Sequence, residues 1–299
     1  MNPTPASSRR NFLKNSSLAV AGASIVGGLN VARTAHAAGS DVIKVALIGS
    51  GGRGTGAVGQ MLDADKNVKL VCVADAFEDR AKIAIASLKK AYADQVDIPD
   101  DQIFIGLDAY KKALATDADL VALATPPGFR PLHYAAAVAS GKHVFMEKPC
   151  CVDAPGFRKL METNKLADKK NLLVGVGLQR RHEPQYIDAI KELQDGAIGD
   201  INLLRVYWDG SGIWNRPRQP GMTELEYQVH NWYHFCWLSG DNICEQHIHN
   251  IDVGNWIKKD QHPVEANGMG GCSLRYLGSN KGTGQIFDHH FVEFTYPDG

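Results

Sequence analysis

The sequence predicts an α/β protein whose first domain is a doubly wound parallel sheet, followed by a second, α+β region. Three observations predict it. Short apolar runs alternate with helical stretches from Asp41 to about Gly177; runs of this length are strands buried on both faces, and the alternation implies right-handed parallel crossovers. A glycine pattern directly follows the first run. Beyond Gly177 the order changes to turns and to strand-like alternation, as in Phe291–Tyr296.

The first strand, Lys44–Ile48, runs into Gly49, Gly51 and Gly54, spaced G-x-G-x-x-G, with Gly52 and Arg53 between them. The first glycine turns the chain off the strand, the second lets backbone approach a pyrophosphate, and the third lets the next helix pack close. That helix points free N–H groups and its positive end at the phosphates. The second strand, Val68–Ala74, ends in Asp75, 21 residues after Gly54. A carboxylate at that distance accepts ribose hydroxyls, which favours NAD; Arg53 and Arg80 keep NADP open.

The remaining elements follow in order. Arg80–Ala93 is an amphipathic helix, and Ile98–Ile105 is a polar loop entering a short strand. Asp108–Ala115 is helical, and Asp119–Ala124 is a buried strand ending at Thr125-Pro126-Pro127. Pro131 opens a helix that runs to Ser140, with Gly141 as its stop. His143–Met146 is a strand ending at Glu147-Lys148-Pro149, and Asn171–Gly177 is one more. Ligands of such sheets sit beyond the C-terminal strand ends. The glycine loop, Thr125, Pro126, the neighbouring His133, Glu147 and Lys148 are therefore expected around one cofactor.

Residues 1–37 read as an export signal. Ser8–Lys14 carries a twin-arginine pattern, a Gly/Ala-rich run spans Leu18–Ala32, and Ala35-His36-Ala37 is an A-x-A cleavage site. The run is too short and glycine-rich for a stable membrane span. A periplasmic location and passage through the Tat machinery are the expectation. The net charge of −1 supplies no field for nucleic acid. The six cysteines form no C-x-x-C pair and read as small hydrophobes, not a disulfide framework.

A strand ending in Glu147-Lys148-Pro149, some 20 residues after the Thr125-Pro126-Pro127 turn and about 90 after the glycine loop, resembles the Gfo/Idh/MocA family of sugar and inositol oxidoreductases. The resemblance covers nearly everything after the signal, and with the signal it is similar to the exported glucose–fructose oxidoreductase branch. It implies a Rossmann domain over 41–177 and a substrate and oligomerisation domain over 178–299, built on a large, open, mostly antiparallel sheet. It also implies that Lys148 touches both the nicotinamide ribose and the reacting hydroxyl. A lysine there stabilises negative charge developing on an alcohol oxygen.

In the second region, Glu183–Leu193 is helical, and Gly196–Ile201 turns into a strand, Asn202–Trp208. Gly210–Gln228 reads as a long loop over the cleft. Trp208, Trp214 and Trp232 are candidates to stack on a sugar, and Arg181 to seat it. The resemblance makes His249 the acid–base group and puts Glu245 where the family has Asp. An i, i+4 pair lies on one helical face, so both point into one cleft. Cys236, Cys244, His247 and His249 offer zinc-ligand types, but their spacing fits no standard structural zinc pattern, and no metal is expected. Pro297-Asp298-Gly299 reads as a turn after an edge strand. The resemblance has further strands there, so the chain is expected to be C-terminally truncated and the full-length protein a homo-oligomer.

The expected function is exported, NAD(P)-dependent hydride transfer between a sugar or cyclitol carbon and a tightly held nicotinamide. One alternative is a redox-assisted glycoside hydrolase. Another is a non-catalytic sugar sensor on the same fold.

Overall fold

The computed structural model describes residues 42–210, 212–273 and 283–298. The twin-arginine motif, the apolar run and the cleavage site lie outside the described residues. Among the described residues, no helix is long and apolar enough to cross a membrane.

The sheet holds six parallel strands in the order β3-β2-β1-β4-β5-β6. They are β1 (Ile43–Ile48), β2 (Val68–Asp75), β3 (Ile103–Ile105), β4 (Leu120–Leu123), β5 (His143–Met146) and β6 (Val174–Val176). This is the doubly wound order, and the chain reverses its direction of travel between β1 and β4. The crossover helices are α1 (Gly52–Ala64), α2 (Glu78–Ala91), α3 (Ala109–Leu114), α4 (Arg130–Ala139) and α5 (Ala154–Lys169).

The side chains of β1 alternate strictly between the two faces, as period-2 geometry requires. Val45 and Leu47 join a core with Leu62, Leu70 and Leu88, while Ala46 and Ile48 join Tyr110, Tyr134 and Met146 on the other face. In β2 the parity switches: Leu70 shares a core with Val45, but so does Val73. The register explains it. Val45 pairs with Leu70 and Ala46 with Cys72, so Val71 is an extra residue that lets the strand present apolar side chains to both cores.

Helix α5 has no counterpart among the sequence expectations. Its signals are local: Asp153 caps it by accepting a hydrogen bond from Gly156 N at 2.7 Å, and Pro155 sits in its first turn.

Beyond β6 come α6 (Pro184–Gln194), α7 (Glu224–His230), α8 (Cys236–Ser239), α9 (Asp241–Glu245) and α10 (Ile248–Ile257). Two strands, β7 (Glu265–Gly271) and β8 (His289–Thr295), pair antiparallel. This pair is the part of the expected antiparallel sheet seen among the described residues. Two expectations are corrected here. The strand over Asn202–Trp208 does not form: these residues carry no ladder, because no strand lies beside them among the described residues. The loop over 210–228 ends in helix α7, nucleated by a capping box in which Thr223 and Glu226 satisfy each other's backbone N–H groups.

Candidate active site

The three glycines of the first loop meet different constraints. Gly49 has φ +93°, and a Cβ there would lie 2.5 Å from Thr125 N, so it answers both to the turn and to the neighbouring strand end. A Cβ on Gly54 would lie 2.0 Å from Gly49 O, which fixes how closely α1 approaches β1. Gly51 and Gly52 face open space, with nothing within 4 Å. No side chain caps the N-terminus of α1, so its first N–H groups remain available to a ligand. The loop lines a cavity of about 320 Å³ together with Arg53, Asp75, Thr125, Pro126 and His133. The size lies in the range of ligand clefts. An open cradle at a bare helix N-terminus fits a dinucleotide pyrophosphate.

Asp75 does more than end β2. Its Oδ2 accepts from Ser50 N at 2.6 Å and from Ser50 Oγ at 2.9 Å, and its Oδ1 accepts from Phe77 N at 2.9 Å. It thus ties the glycine loop to the second strand and retains acceptor capacity for ribose hydroxyls. His133 Nδ1 lies 3.0 Å from Thr125 Oγ1, and its ring packs between Tyr110 and Phe129. Burial first, then the neighbouring Arg130 cation, pushes its pKa down to about 4. At neutral pH it therefore orients Thr125 as an uncharged ring.

A residue without a signal in the sequence organises this rim. Arg130 is 1% exposed, and its Nη1 donates to Leu123 O at 2.7 Å and Glu147 O at 2.6 Å. Its Nη2 donates to Thr125 O. One buried guanidinium therefore ties together the ends of β4 and β5, and burial pulls its pKa down to about 10. Glu147, also buried, accepts from Arg53 Nε at 2.7 Å. Gly177 gives the Glu147 carboxylate room, since a Cβ there would lie 2.4 Å from Oε2.

Lys148 and Glu245 come together from positions 97 apart. Nζ donates to Glu245 Oε1 at 2.8 Å and also to the Glu245 backbone oxygen, with both side chains almost fully buried. Burial raises the Glu245 pKa, and the Lys148 cation opposes that shift. His249 is 9% exposed, and its ring stacks on Trp208 with centroids 6.0 Å apart and planes at 26°. Its Nδ1 is buried with no hydrogen-bond partner among the described residues. Burial, then the Lys148 and Arg180 charges, pushes its pKa down to about 4.

The structure revises several expectations. Glu245 and His249 do not share one helical face, because α9 stops at Glu245 and α10 begins at Ile248. Glu245 contacts Lys148 and is not bonded to His249. Arg181 turns Nε and Nη2 to carboxylates: they chelate Asp252 at 2.9 and 2.8 Å, Nη2 reaches Asp260 at 2.7 Å, and the guanidinium lies over Trp256. The charge of the neighbouring Arg180, and after it that of Arg53, reaches His249, and Arg180 donates to Asn250 Oδ1. Trp208 sits at the His249 ring, whereas Trp214 and Trp232 line the glycine-loop cavity with Phe77 and Arg80. Among the described residues, no group of three or more His, Cys, Asp or Glu side chains is arranged to hold a metal ion.

Comparison with known proteins agrees with the fold. Residues 43–178 match the Gfo/Idh/MocA model, described as an oxidoreductase family with an NAD-binding Rossmann fold. The chain belongs to that family. An inositol 2-dehydrogenase of Acidothermus cellulolyticus is 30% identical over 215 residues, covering 72% of this chain and 53% of that protein. A scyllo-inositol 2-dehydrogenase (NADP(+)) of Bacillus subtilis is 29% identical over 171 residues, covering 56% and 42%. The chain spans about half the length of the curated relatives it matches. In fold it is similar to an aldose–aldose oxidoreductase from Caulobacter crescentus complexed with glycerol, with a TM-score of 0.61 at 17% identity, over 86% of this chain and 68% of that one.

Proposed function

We propose that the protein is an NAD(P)-dependent dehydrogenase of a sugar or cyclitol hydroxyl. The observation that supports this most is the buried pair of Lys148 and Glu245, next in sequence to the Glu147 that holds Arg53 of the glycine loop, with the His249 ring close enough to feel the lysine's charge. The curated relatives that act on inositols point to the same substrate class.

The dinucleotide supplies a two-electron acceptor when bound. Gly51, Gly52 and the start of α1 would hold its pyrophosphate, and Asp75 its ribose. Lys148 donates a hydrogen bond to the substrate oxygen and stabilises negative charge there as the carbon–hydrogen bond weakens. Glu245 keeps that lysine aimed. His249 is uncharged at neutral pH, so it can accept the hydroxyl proton. Trp208 offers an aromatic face to the apolar side of a ring.

We further propose, from the Ser8–Lys14 motif, that the protein is exported by the twin-arginine route with its cofactor already bound. Fusion of residues 1–37 to a reporter, with Arg9 and Arg10 both changed to Lys, tests it: secretion lost in the variant supports export, and retention of the unaltered fusion in the cytoplasm contradicts it.

The catalytic reading is tested by denaturing purified protein and identifying the released dinucleotide by mass. In parallel, sugars and cyclitols are added while the reduced-nicotinamide absorbance is followed. Bound dinucleotide and an absorbance change that disappears in Lys148→Ala support the reading. A protein that neither retains nor binds dinucleotide overturns it.

A further inference from the structure

The glycine-loop cleft has a wall that does not belong to the parallel sheet. Just past Asp75, Phe77 and Arg80 line one side, and Trp214, Arg216 and His230 line the other. The second group lies more than 130 residues further along the chain, on the stretch leading through α7.

This wall is built in place by contacts. The Arg216 guanidinium lies 4.1 Å from the centre of the Trp214 ring. Its Nη1 donates to His230 O, and its backbone N donates to Asn231 Oδ1 at 2.8 Å. Asn231 is fully buried and returns a hydrogen bond from Nδ2 to Arg216 O at 3.0 Å. The His230 ring meets Phe77 edge-on at 5.0 Å, which pins the segment to the end of β2. Its Nδ1 is buried with no hydrogen-bond partner among the described residues.

The charges on this wall call for an electron-rich occupant. Burial and then the nearby Arg80 cation lower the Arg216 pKa, while Asp79 offsets only part of that repulsion. Both arginines lower the His230 pKa as well, after burial, so that ring is neutral at neutral pH. In a doubly wound sheet, the end of the second strand is where the adenosine ribose lies. A planar guanidinium backed by an indole suits the face of a purine and the oxygens of its ribose.

We infer that Arg216, presented by Trp214 and the His230 carbonyl, closes over the adenosine half of the dinucleotide. The segment containing residues 214–232, and not the sheet alone, then sets how slowly the cofactor leaves. This rests on the dinucleotide reading above. It gives a physical basis for cofactor retention in an exported enzyme.

The test is dissociation of bound NAD, chased with excess labelled NAD, from unaltered protein, Arg216→Ala and Arg216→Lys. AMP and nicotinamide mononucleotide are run alongside as competitors for the two halves of the site. Release of NAD is expected to quicken about tenfold or more in Arg216→Ala, equivalent to about 1.4 kcal/mol or more, with Arg216→Lys intermediate. AMP is expected to bind more weakly by a similar factor, with nicotinamide mononucleotide unchanged. An unchanged NAD release rate overturns the inference. So does an equal loss for both half-ligands. Thermal midpoints without ligand check folding; if Arg216→Ala does not fold, Arg216→Lys and Trp214→Phe carry the comparison. If unaltered protein binds no dinucleotide, the cofactor reading is overturned and the clamp with it, an outcome distinct from an unchanged release rate.

Discussion

The glycine loop and the Lys148–His249 cluster are joined through Arg53, which pairs with Glu147 beside Lys148, but they are built on different physics. The loop is a backbone device. Gly49 and Gly54 are there because a Cβ would strike Thr125 and Gly49, and Gly51 because the space beyond it must stay empty. The cluster is a side-chain device: a cation, a carboxylate and an imidazole are buried near one another, and the lysine's charge acts on both of the others. A backbone device works through shape and tolerates little change of volume. A side-chain device works through charge, and its members fail together when one is removed.

The largest effects are expected in the cluster. Lys148→Ala should lower kcat/KM by about 10²–10⁴-fold. It should also destabilise the fold by ~3–5 kcal/mol, because Glu245 is left buried and uncompensated. The double variant Lys148→Met, Glu245→Leu should recover most of that stability in urea unfolding while remaining inactive. If the double variant is no more stable than the single one, the pair is not the electrostatic unit described here.

Acid should sharpen the same contrast. His249 and His133 are both held near pKa 4, against an ordinary value of 6.5. Between those values the unfolded chain binds a proton that the folded one refuses, so stability falls as pH drops from 6.5 to about 4 and levels off below. Each histidine contributes at most about 3 kcal/mol to that loss. Urea midpoints measured across this range should fall in the unaltered protein, and His133→Asn or His249→Asn should each flatten the slope.

The loop should separate shape from binding. Gly54→Ala should cost ~1–3 kcal/mol of stability and abolish dinucleotide binding, since α1 must move. Gly51→Ala should leave the thermal midpoint near that of the parent and weaken NAD roughly tenfold, about 1.4 kcal/mol. Equal loss of stability in both variants would contradict the distinction between them. The smallest effect is expected for Arg181→Gln. It removes the chelate on Asp252 and should cost ~1–2 kcal/mol with KM for the polyol unchanged. A raised KM alone would restore Arg181 to the substrate.

The two devices also differ in how legible they are. The loop, Asp75 and the alternation of strands with helices follow from spacing and apolar periodicity, which are local properties. Lys148 is marked by its place at the end of β5. Its partner Glu245 and the unpaired His249 Nδ1 depend on contacts across about 100 residues, and no local pattern reports those. Arg130 sits alone in an apolar helix, and nothing near it in sequence announces three carbonyl acceptors. Arg180 and Arg181 are adjacent, yet one meets Asn250 and the other Asp252. The stretch Asn202–Trp208 has the composition of a strand but no neighbour to pair with among the described residues, and β-propensity without a partner makes no ladder.

The central claim is that the cluster removes hydrogen from a polyol carbon beside the cradle built by Gly51. Its most direct test uses protein loaded with NAD and a cyclitol or sugar deuterated at its ring carbons, with the dinucleotide then recovered and weighed by mass spectrometry. The account predicts deuterium on the nicotinamide ring in the unaltered protein and its absence in Lys148→Ala that still holds NAD. Unlabelled dinucleotide recovered from the unaltered protein after incubation with every polyol of the panel would contradict it.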